Sequence, residues 1–225
     1  MEIIRYAELK AQPWRNGGGV TREVASHPAG ASSAPGTGDG GWDWRVSIAE
    51  VSKAGDFSAF PGMDRVLTVV EGELLLLSVD GAEHPLEKYR PYRFSCDAAA
   101  SGALPTGDIR DLNVITRNSA FKGYTSIIEL SKKRAHPVFG GQLGILLQGQ
   151  AAVTPGTAGT GQAGVEPADA GPADAAPAGT AGAAGTPEGP TTLARYDAVV
   201  GSDTATPEIL GRGFLAVVSV DPVAD

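Results

Sequence analysis

Apolar and polar residues alternate along several segments of the chain. Residues 42–51, WDWRVSIAEV, place two Trp, one Val and one Ile on one face of an extended strand and put Arg45 and Ser47 on the other. Residues 65–81, RVLTVVEGELLLLSVDG, contain two apolar runs around Glu71 and Gly72 and end in an Asp-Gly turn, which indicates paired strands. No long segment shows the 3.6-residue periodicity of an amphipathic helix. The pattern therefore predicts an all-β, or mostly β, fold.

Three of these segments recur in the second half of the chain in the same order. RVLTVVEGELLLLSVDG resembles QLGILLQGQAAVTPG at 142–156, PYRFSCDAA at 91–99 resembles ARYDAVVGSD at 194–203, and GDIRDLNVITR at 107–117 resembles LGRGFLAVVSVD at 210–221. A conserved order of three matching elements is typical of a duplicated unit. We therefore expect two small β-barrels, an N-terminal one over residues 1–117 and a C-terminal one over 118–225.

One long segment departs from the strand pattern. Residues 151–192 consist almost entirely of Ala, Gly, Pro, Thr and a few acids. Such a composition buries too little apolar surface to offset the entropy of ordering the chain, so we expect a flexible, disordered insertion. It falls inside the second repeat, which predicts a loop within the C-terminal barrel. A shorter segment of similar composition, 27–41, interrupts the N-terminal part.

Composition excludes several functions. The net charge of −8 argues against binding to nucleic-acid backbones, which requires clustered Lys and Arg. The single cysteine, Cys96, allows no intrachain disulfide, and the three histidines lie far apart without an H-x-H or H-E-x-x-H motif, so we expect no metal and no cofactor. No run of about eighteen apolar residues exists to span a membrane, and the N-terminus is charged, so we expect a cytoplasmic protein.

A glycine run near the start, Gly17 to Gly19, suggests a phosphate-binding loop at first sight. A P-loop needs Lys and then Ser or Thr after its last glycine, whereas Val20 and Thr21 follow here. The run is better explained as a turn followed by a strand, with Thr21 and Glu23 on one face of that strand.

Polar residues interrupt apolar strand sequences at several points. They are Arg45 and Ser47 in WDWRVSIAEV, Asp64 and Arg65 before VLTVV, and Arg110, Asp111 and Asn113 in IRDLNVI. Charged groups that point into a barrel must be paired, because an unpaired buried charge is costly. Two interpretations stay open: an internal salt-bridge network, or a pocket in which Arg binds a small carboxylate and Asn or Ser binds an amide or hydroxyl.

Four motifs, in this order, resemble the HutD/Ves family: PWRNGGGVTREV, WDWRVSIAEV, GDFSAFPGMDRVLTVVEGE and RDLNVITR. The resemblance implies a bicupin, two RmlC-like jelly-roll barrels in one chain, and a cytoplasmic bacterial protein associated with histidine utilisation. It also implies a small bound metabolite such as N-formylglutamate or urocanate. The ligand-binding residues it implies, all in the N-terminal barrel, are Asn16, Thr21, Glu23, Arg45, Ser47, Arg65 and Asn113.

The leading hypothesis is thus a metal-free protein without catalytic residues that binds a small anionic metabolite. One alternative is an isomerase or hydrolase of a small acid with Glu23 or Asp111 as general base. Another is a protein-interaction module in which the pocket is vestigial. Cupins often pair through exposed sheets, so a homodimer is expected by analogy.

Overall fold

The computed structural model describes residues 1–28, 41–156 and 189–224. Within these ranges the chain forms antiparallel strands and one short 3-10 turn, Tyr6–Glu8, which confirms the all-β prediction. The strands are β1 (Glu2–Ile4), β2 (Ala11–Pro13), β3 (Gly19–His27), β4 (Trp44–Val51), β5 (Gly55–Asp56), β6 (Met63–Glu71), β7 (Leu74–Val79), β8 (Ala82–Glu87), β9 (Tyr92–Ser95), β10 (Ala100–Ala103), β11 (Ile109–Arg117), β12 (Phe121–Leu130), β13 (His136–Pro137), β14 (Gln142–Thr154), β15 (Thr191–Leu193), β16 (Ala198–Val200) and β17 (Glu208–Pro222).

The strands form three sheets. A six-stranded sheet has the order β2-β3-β4-β11-β6-β9, and a four-stranded sheet has the order β5-β10-β7-β8. A seven-stranded sheet has the path β1-β16-β14-β17-β12, with β13 beside β17 and β15 beside β14. The N-terminal strand β1 therefore joins a sheet whose other strands come from the second half of the chain.

The strand pairing shows the duplication directly. The order β4-β11-β6-β9 in the six-stranded sheet matches the order β12-β17-β14-β16 in the seven-stranded sheet. Each copy also carries a register shift at the corresponding place, next to Asp111 in the first and next to Leu215 in the second. The predicted bicupin architecture is confirmed, while the exact division at residues 117 and 118 stays a prediction.

The two copies differ in one hairpin. In the first, β6 ends at Glu71 and β7 begins at Leu74, with Gly72 at a φ of 84° between them. In the second copy, β14 is 13 residues long and continues past Gly149, because β17 is long enough to pair with it as far as Thr154. The strand therefore extends into the segment expected to be a flexible insertion.

The two ends of that predicted insertion, 151–192, are regular structure. Ala151 to Val153 pair with β15, and the side chains of Val153 and Leu193 are buried in the core of the C-terminal barrel. These apolar side chains stabilise the pairing. The rest of the predicted insertion, 157–188, lies outside the described residues, as does most of the shorter loop at 29–40.

The described residues form four apolar cores, the smallest of them around Trp42, Met63, Cys96 and Ile115. One fills the space between the six-stranded and seven-stranded sheets, with Ile48 and Leu112 on one side and Ile145 and Ala216 on the other. A second lies inside the C-terminal barrel. The third, which includes Leu67 and Leu77, lies between the six-stranded and four-stranded sheets. The face of the six-stranded sheet that meets the four-stranded sheet is the inner face of the N-terminal barrel.

Glu71 links the two barrels through hydrogen bonds and ion pairs. Its carboxylate accepts a hydrogen bond of 2.7 Å from the Tyr196 hydroxyl, and Arg110 and Arg195 lie 2.9 and 3.3 Å away. Burial raises the pKa of Glu71, but the Tyr196 hydrogen bond and the two arginines outweigh it, so the pKa lies below its ordinary value.

Glu71→Gln is expected to lower the free energy of unfolding by about 1 kcal/mol at neutral pH, a small effect because these ion pairs are partly exposed to solvent. A depressed carboxyl pKa stabilises the fold above the unfolded value of about 4.3, and this contribution disappears as pH falls through the folded value. The difference between wild type and variant, measured by urea denaturation, should therefore vanish in acid. Glu73→Gln, at an exposed position, is the control. An equal loss of unfolding free energy in that variant would contradict a stabilising role for the Glu71 contacts.

Candidate functional site

Six of the seven predicted site residues share the inner face of the N-terminal barrel. Glu23, Ser47 and Asn113 stand opposite one another across β3, β4 and β11. Arg45 and Arg65 lie on either side of Ile115, which is two residues after Asn113 on β11. Thr21 precedes Glu23 by two residues on β3, so it points the same way. The alternation predicted from sequence places these side chains together because β4, β6 and β11 are neighbours.

Asn16 lies apart from this group, in the turn between β2 and β3. Its Oδ1 accepts a hydrogen bond of 2.9 Å from the Gly18 backbone N–H, and Gly17 has a φ of 65°. A side chain at Gly19 would meet the Glu50 carbonyl oxygen at 2.5 Å. The glycine run thus closes a tight hairpin, as expected for a turn followed by a strand.

The two polar residues of β3 are held by local hydrogen bonds. Thr21 Oγ1 accepts a hydrogen bond of 2.8 Å from the Trp14 indole N–H. Glu23 accepts one of 2.8 Å from the Ser26 hydroxyl. Thr21 therefore positions Trp14, and the Glu23 carboxylate is oriented from its own strand.

Arg65 is almost fully buried, with 4% of its surface exposed. It donates one hydrogen bond of 3.1 Å to the Ser58 carbonyl oxygen, and its guanidinium lies 5.1 Å from the ring centre of Phe57 and 5.7 Å from that of Phe94. Aromatic faces stabilise a buried guanidinium. Its Nε has no hydrogen-bond partner among the described residues. Arg65 thus retains an unused donor inside the barrel.

Arg45 has a similar environment. Its guanidinium lies 5.1 Å from the Trp42 ring centre and 5.9 Å from that of Phe60, which is also 5.9 Å from Arg65. Burial lowers the pKa of Arg45, the nearby Glu23 carboxylate opposes this, and Arg65 lowers it further. In the described part of the chain its Nε is also without a partner. The two arginines therefore place two positive charges near one aromatic ring.

Asp111 is absent from the set of predicted ligand-binding residues, since the sequence suggested it as a partner in an internal salt-bridge network or as a general base. It is fully buried, and its Oδ1 accepts a hydrogen bond of 2.5 Å from the Asn113 side-chain amide. Asp111 Oδ2 and Asn113 Oδ1 find no partner within the described ranges. Burial raises the pKa of Asp111 to about 7, against the opposing effects of Arg65 and the Asn113 hydrogen bond. An acid on the inward face of an otherwise apolar strand was the sequence signal for this residue.

A small recess opens beside this cluster at one end of the barrel, with free space for about one water molecule. Asp111 lies at its buried side, and the charged residues Lys53 and Asp56 lie at its exposed rim. Of the predicted set, Asn16 alone is part of its lining. Phe57 lines the recess and also stacks on Arg65, so this ring stands between the recess and the guanidinium.

Metal-ligand clusters and membrane-spanning helices are both absent from the described residues. Over residues 1–28, 41–156 and 189–224, no group of three or more His, Cys, Asp or Glu side chains is arranged to hold a metal ion. None of the helical segments described is long and apolar enough to cross a membrane. The buried Arg65, Asp111 and Asn113, with their unpartnered polar atoms in the described chain, make the inner face of the N-terminal barrel the candidate site.

Comparison with known proteins identifies the family. The HutD family model matches residues 6–216. Protein Ves from Citrobacter koseri is 34% identical over 148 residues, which cover 65% of this chain and 71% of that protein. Two solved structures share the fold over 99% of both chains at 24% identity. They are a conserved protein of unknown function from Pseudomonas aeruginosa PAO1, with a TM-score of 0.70, and HutD from Pseudomonas fluorescens SBW25, with a TM-score of 0.66.

The cupin relationship extends to more distant proteins. A cupin 2 conserved barrel domain protein from Leptotrichia buccalis has a TM-score of 0.54 at 9% identity and covers 98% of this chain and 96% of that one. At such identity the likeness concerns the fold alone. The family match spans nearly the whole sequence and includes the duplicated barrels and the inward-facing polar cluster. The chain belongs to the HutD family.

Proposed function

We propose that this protein binds a small carboxylate metabolite inside its N-terminal barrel and thereby modulates histidine utilisation. N-formylglutamate and urocanate are the candidate ligands. Membership of the HutD family supports the metabolic context, and the buried Arg65 with the partly buried Arg45 supports a carboxylate. The cytoplasmic location and the homodimer expected from sequence stay predictions within this proposal.

The observation that carries the proposal is the difference between the two copies of the barrel. Asp111 stands between Ala49 and Val69, and in the second copy Leu215 stands in the same relation to Ile128 and Leu146. The same registers give four matched pairs of residues. They are Arg45 and Tyr124, Arg65 and Gln142, Asp111 and Leu215, and Asn113 and Val217.

The fold therefore does not require polar side chains at the positions of Asp111 and Asn113. Leu215 and Val217 pack in the apolar core of the C-terminal barrel, where the same sheet geometry is filled by hydrocarbon. The N-terminal barrel instead retains buried Asp111, Asn113 and Arg65 with unpartnered polar atoms. Buried polar groups without partners cost free energy, so their presence in only one copy supports a role in binding.

The chemistry of these groups suits a carboxylate with an adjoining amide, formyl or ring group. Unused guanidinium donors of Arg45 and Arg65 would bind carboxylate oxygens, and Asn113 Oδ1 would accept a hydrogen bond from a ligand N–H. A ligand that enters through the recess would reach Arg65 by displacing the Phe57 ring. Ser47 and Glu23 lie beside Asn113 and would orient the bound group.

Isothermal titration with N-formylglutamate and urocanate tests this proposal. Arg45→Gln is expected to weaken binding by about 10- to 100-fold, because a charge-assisted contact contributes about 1.5–3 kcal/mol. Arg117→Gln, which removes a partly exposed ion pair with Asp43, is the matched control and should bind like wild type. Wild-type protein that binds neither compound at millimolar concentration would exclude both ligands, and equal affinity of wild type and Arg45→Gln would exclude the site.

A second candidate function is supported by Asp111. A buried carboxyl whose pKa is about 7 can exchange protons near neutrality, and this one lines the recess. The protein would then be an isomerase or hydrolase of a small acid with Asp111 as general base, while Glu23, already bound by Ser26, is the rival base. Consumption of either ligand, followed by proton NMR and abolished in Asp111→Asn, would favour this function over binding alone.

A further inference from the structure

Asp111 has the geometry of a group that holds a proton next to a ligand. Its Oδ1 is occupied by the Asn113 amide at 2.5 Å, whereas Oδ2 has no partner in the described chain, and Asp111 is one of the residues that line the recess. A carboxylate that accepts only one hydrogen bond while fully buried is poorly stabilised as an anion. The free Oδ2 is therefore a natural position for a proton.

The nearby arginine does not neutralise Asp111 directly. Arg65 faces the barrel interior from β6, but its hydrogen bond goes to the Ser58 carbonyl, and no ion pair joins it to Asp111 among the described residues. The guanidinium is held between aromatic rings instead. Arg65 thus remains available for a ligand and does not saturate the acid.

The charges around Asp111 come from every element that packs against it. The four-stranded sheet contributes the uncharged Leu75 and Gly102 and the charged Asp56, on β5, to the recess lining. The charged and titratable groups are Glu23 on β3, Arg45 on β4, Arg65 on β6, and Lys53 and Asp56 at the recess rim.

A carboxylate ligand changes the charge balance of this interior. With Asp111 ionised, the charges of Arg45, Arg65, Glu23 and Asp111 cancel, and a ligand carboxylate would add an unbalanced negative charge in a buried space. With Asp111 protonated, the four groups carry one net positive charge, which the ligand carboxylate neutralises. Uncompensated buried charge is costly, so the second arrangement is favoured.

We propose that Asp111 is a ligand-binding residue that acts in its protonated form, donating a hydrogen bond from Oδ2 to a carboxylate oxygen of the ligand. This rests on the proposed function, since it concerns the same site. The ligand then binds as an anion together with one proton taken from solvent, and no covalent bond changes. The site selects ligands that offer a carboxylate acceptor within reach of both Asp111 and Arg65.

The expected pH dependence follows from the sign of this coupling. Burial and the unpaired Oδ2 put the pKa of free Asp111 at about 7, and a bound carboxylate raises it further. The ligand therefore binds most tightly when the pH is below about 7. Its affinity should fall about tenfold as the pH rises from about 6 to about 8. At neutrality about half a proton is taken up for each ligand bound.

Isothermal titration of N-formylglutamate and urocanate at several pH values, in pairs of buffers with different ionisation enthalpies, measures both quantities. Ligand binding to the wild type should be accompanied by proton uptake, and the affinity should fall with rising pH. Asp111→Asn, whose amide always donates, should bind more weakly than wild type at low pH, with neither proton uptake nor pH dependence. Glu73→Gln, which removes an exposed carboxylate outside the barrel interior, is the matched control and should keep the proton uptake.

The two proposals fail in different ways. Binding of either compound without proton uptake, or with unchanged uptake in Asp111→Asn, would overturn the role of Asp111 and leave the carboxylate site intact. Failure of both compounds to bind at any pH would overturn the proposed function and this role together. Carbon-13 NMR of the Asp111 carboxyl adds a direct check, because its titration must move to higher pH when the ligand is present.

Discussion

The double substitution Asp111→Leu and Asn113→Val is expected to abolish carboxylate binding while the protein stays folded. It gives the N-terminal barrel the residues that Leu215 and Val217 supply at the matched positions of the C-terminal barrel. Two hydrogen bonds to the ligand are lost, each contributing about 1.5–3 kcal/mol, so affinity should fall by about 100-fold or more. Isothermal titration with N-formylglutamate and urocanate measures the loss.

The free energy of unfolding should change by no more than about 1 kcal/mol in this variant. Removing two orphaned polar atoms stabilises the fold, and removing the acid near buried Arg65 offsets part of that gain. Thr68→Val is the matched control. Thr68 is buried, its hydroxyl has no partner in the described chain, and it lies opposite Leu112 on the face directed at the other barrel. The control should keep full affinity, and ligand binding by the double variant would contradict the site.

The largest expected effect on stability comes from Asp197→Ala. Asp197 is 2% exposed and accepts hydrogen bonds from the Arg5 guanidinium at 2.6 Å, the Tyr6 backbone N–H at 3.0 Å and the Ala194 backbone N–H at 2.9 Å. The substitution removes both acceptor oxygens and all three hydrogen bonds, and it leaves two backbone donors without their partner. The free energy of unfolding should fall by about 3–5 kcal/mol.

The position of Asp197 explains why the effect is expected to be global. Its carboxylate fixes the N-terminal segment beside β1, which pairs with β16, so it holds the start of the chain against the C-terminal barrel. Urea denaturation gives the change in stability. Asp203→Ala is the control, since Asp203 is exposed and accepts one backbone hydrogen bond, from Gly140. Equal losses in the two variants would show that the Asp197 contacts contribute little.

The alternation of the strands was enough to predict which side chains share a face. Arg45 and Ser47 on β4, Arg65 on β6 and Asn113 on β11 do point into one barrel, because side chains two residues apart in a strand lie on the same side. Asn16 was different. Turn residues have no such periodicity, and its side chain is bound to its own loop.

The sequence alone therefore determined the all-β fold, the duplicated unit and most of the inward-facing polar residues, since each depends on local periodicity or repetition. The tertiary structure decided the rest. It brought Phe57 and Phe60 from a loop, and Phe94 from β9, around the two arginines, left Asp111 Oδ2 without a partner beside the recess, and paired β1 with β16. The contacts of Arg65 with Phe94 and of β1 with β16 join residues far apart in the chain, and no local pattern contains the distance between them.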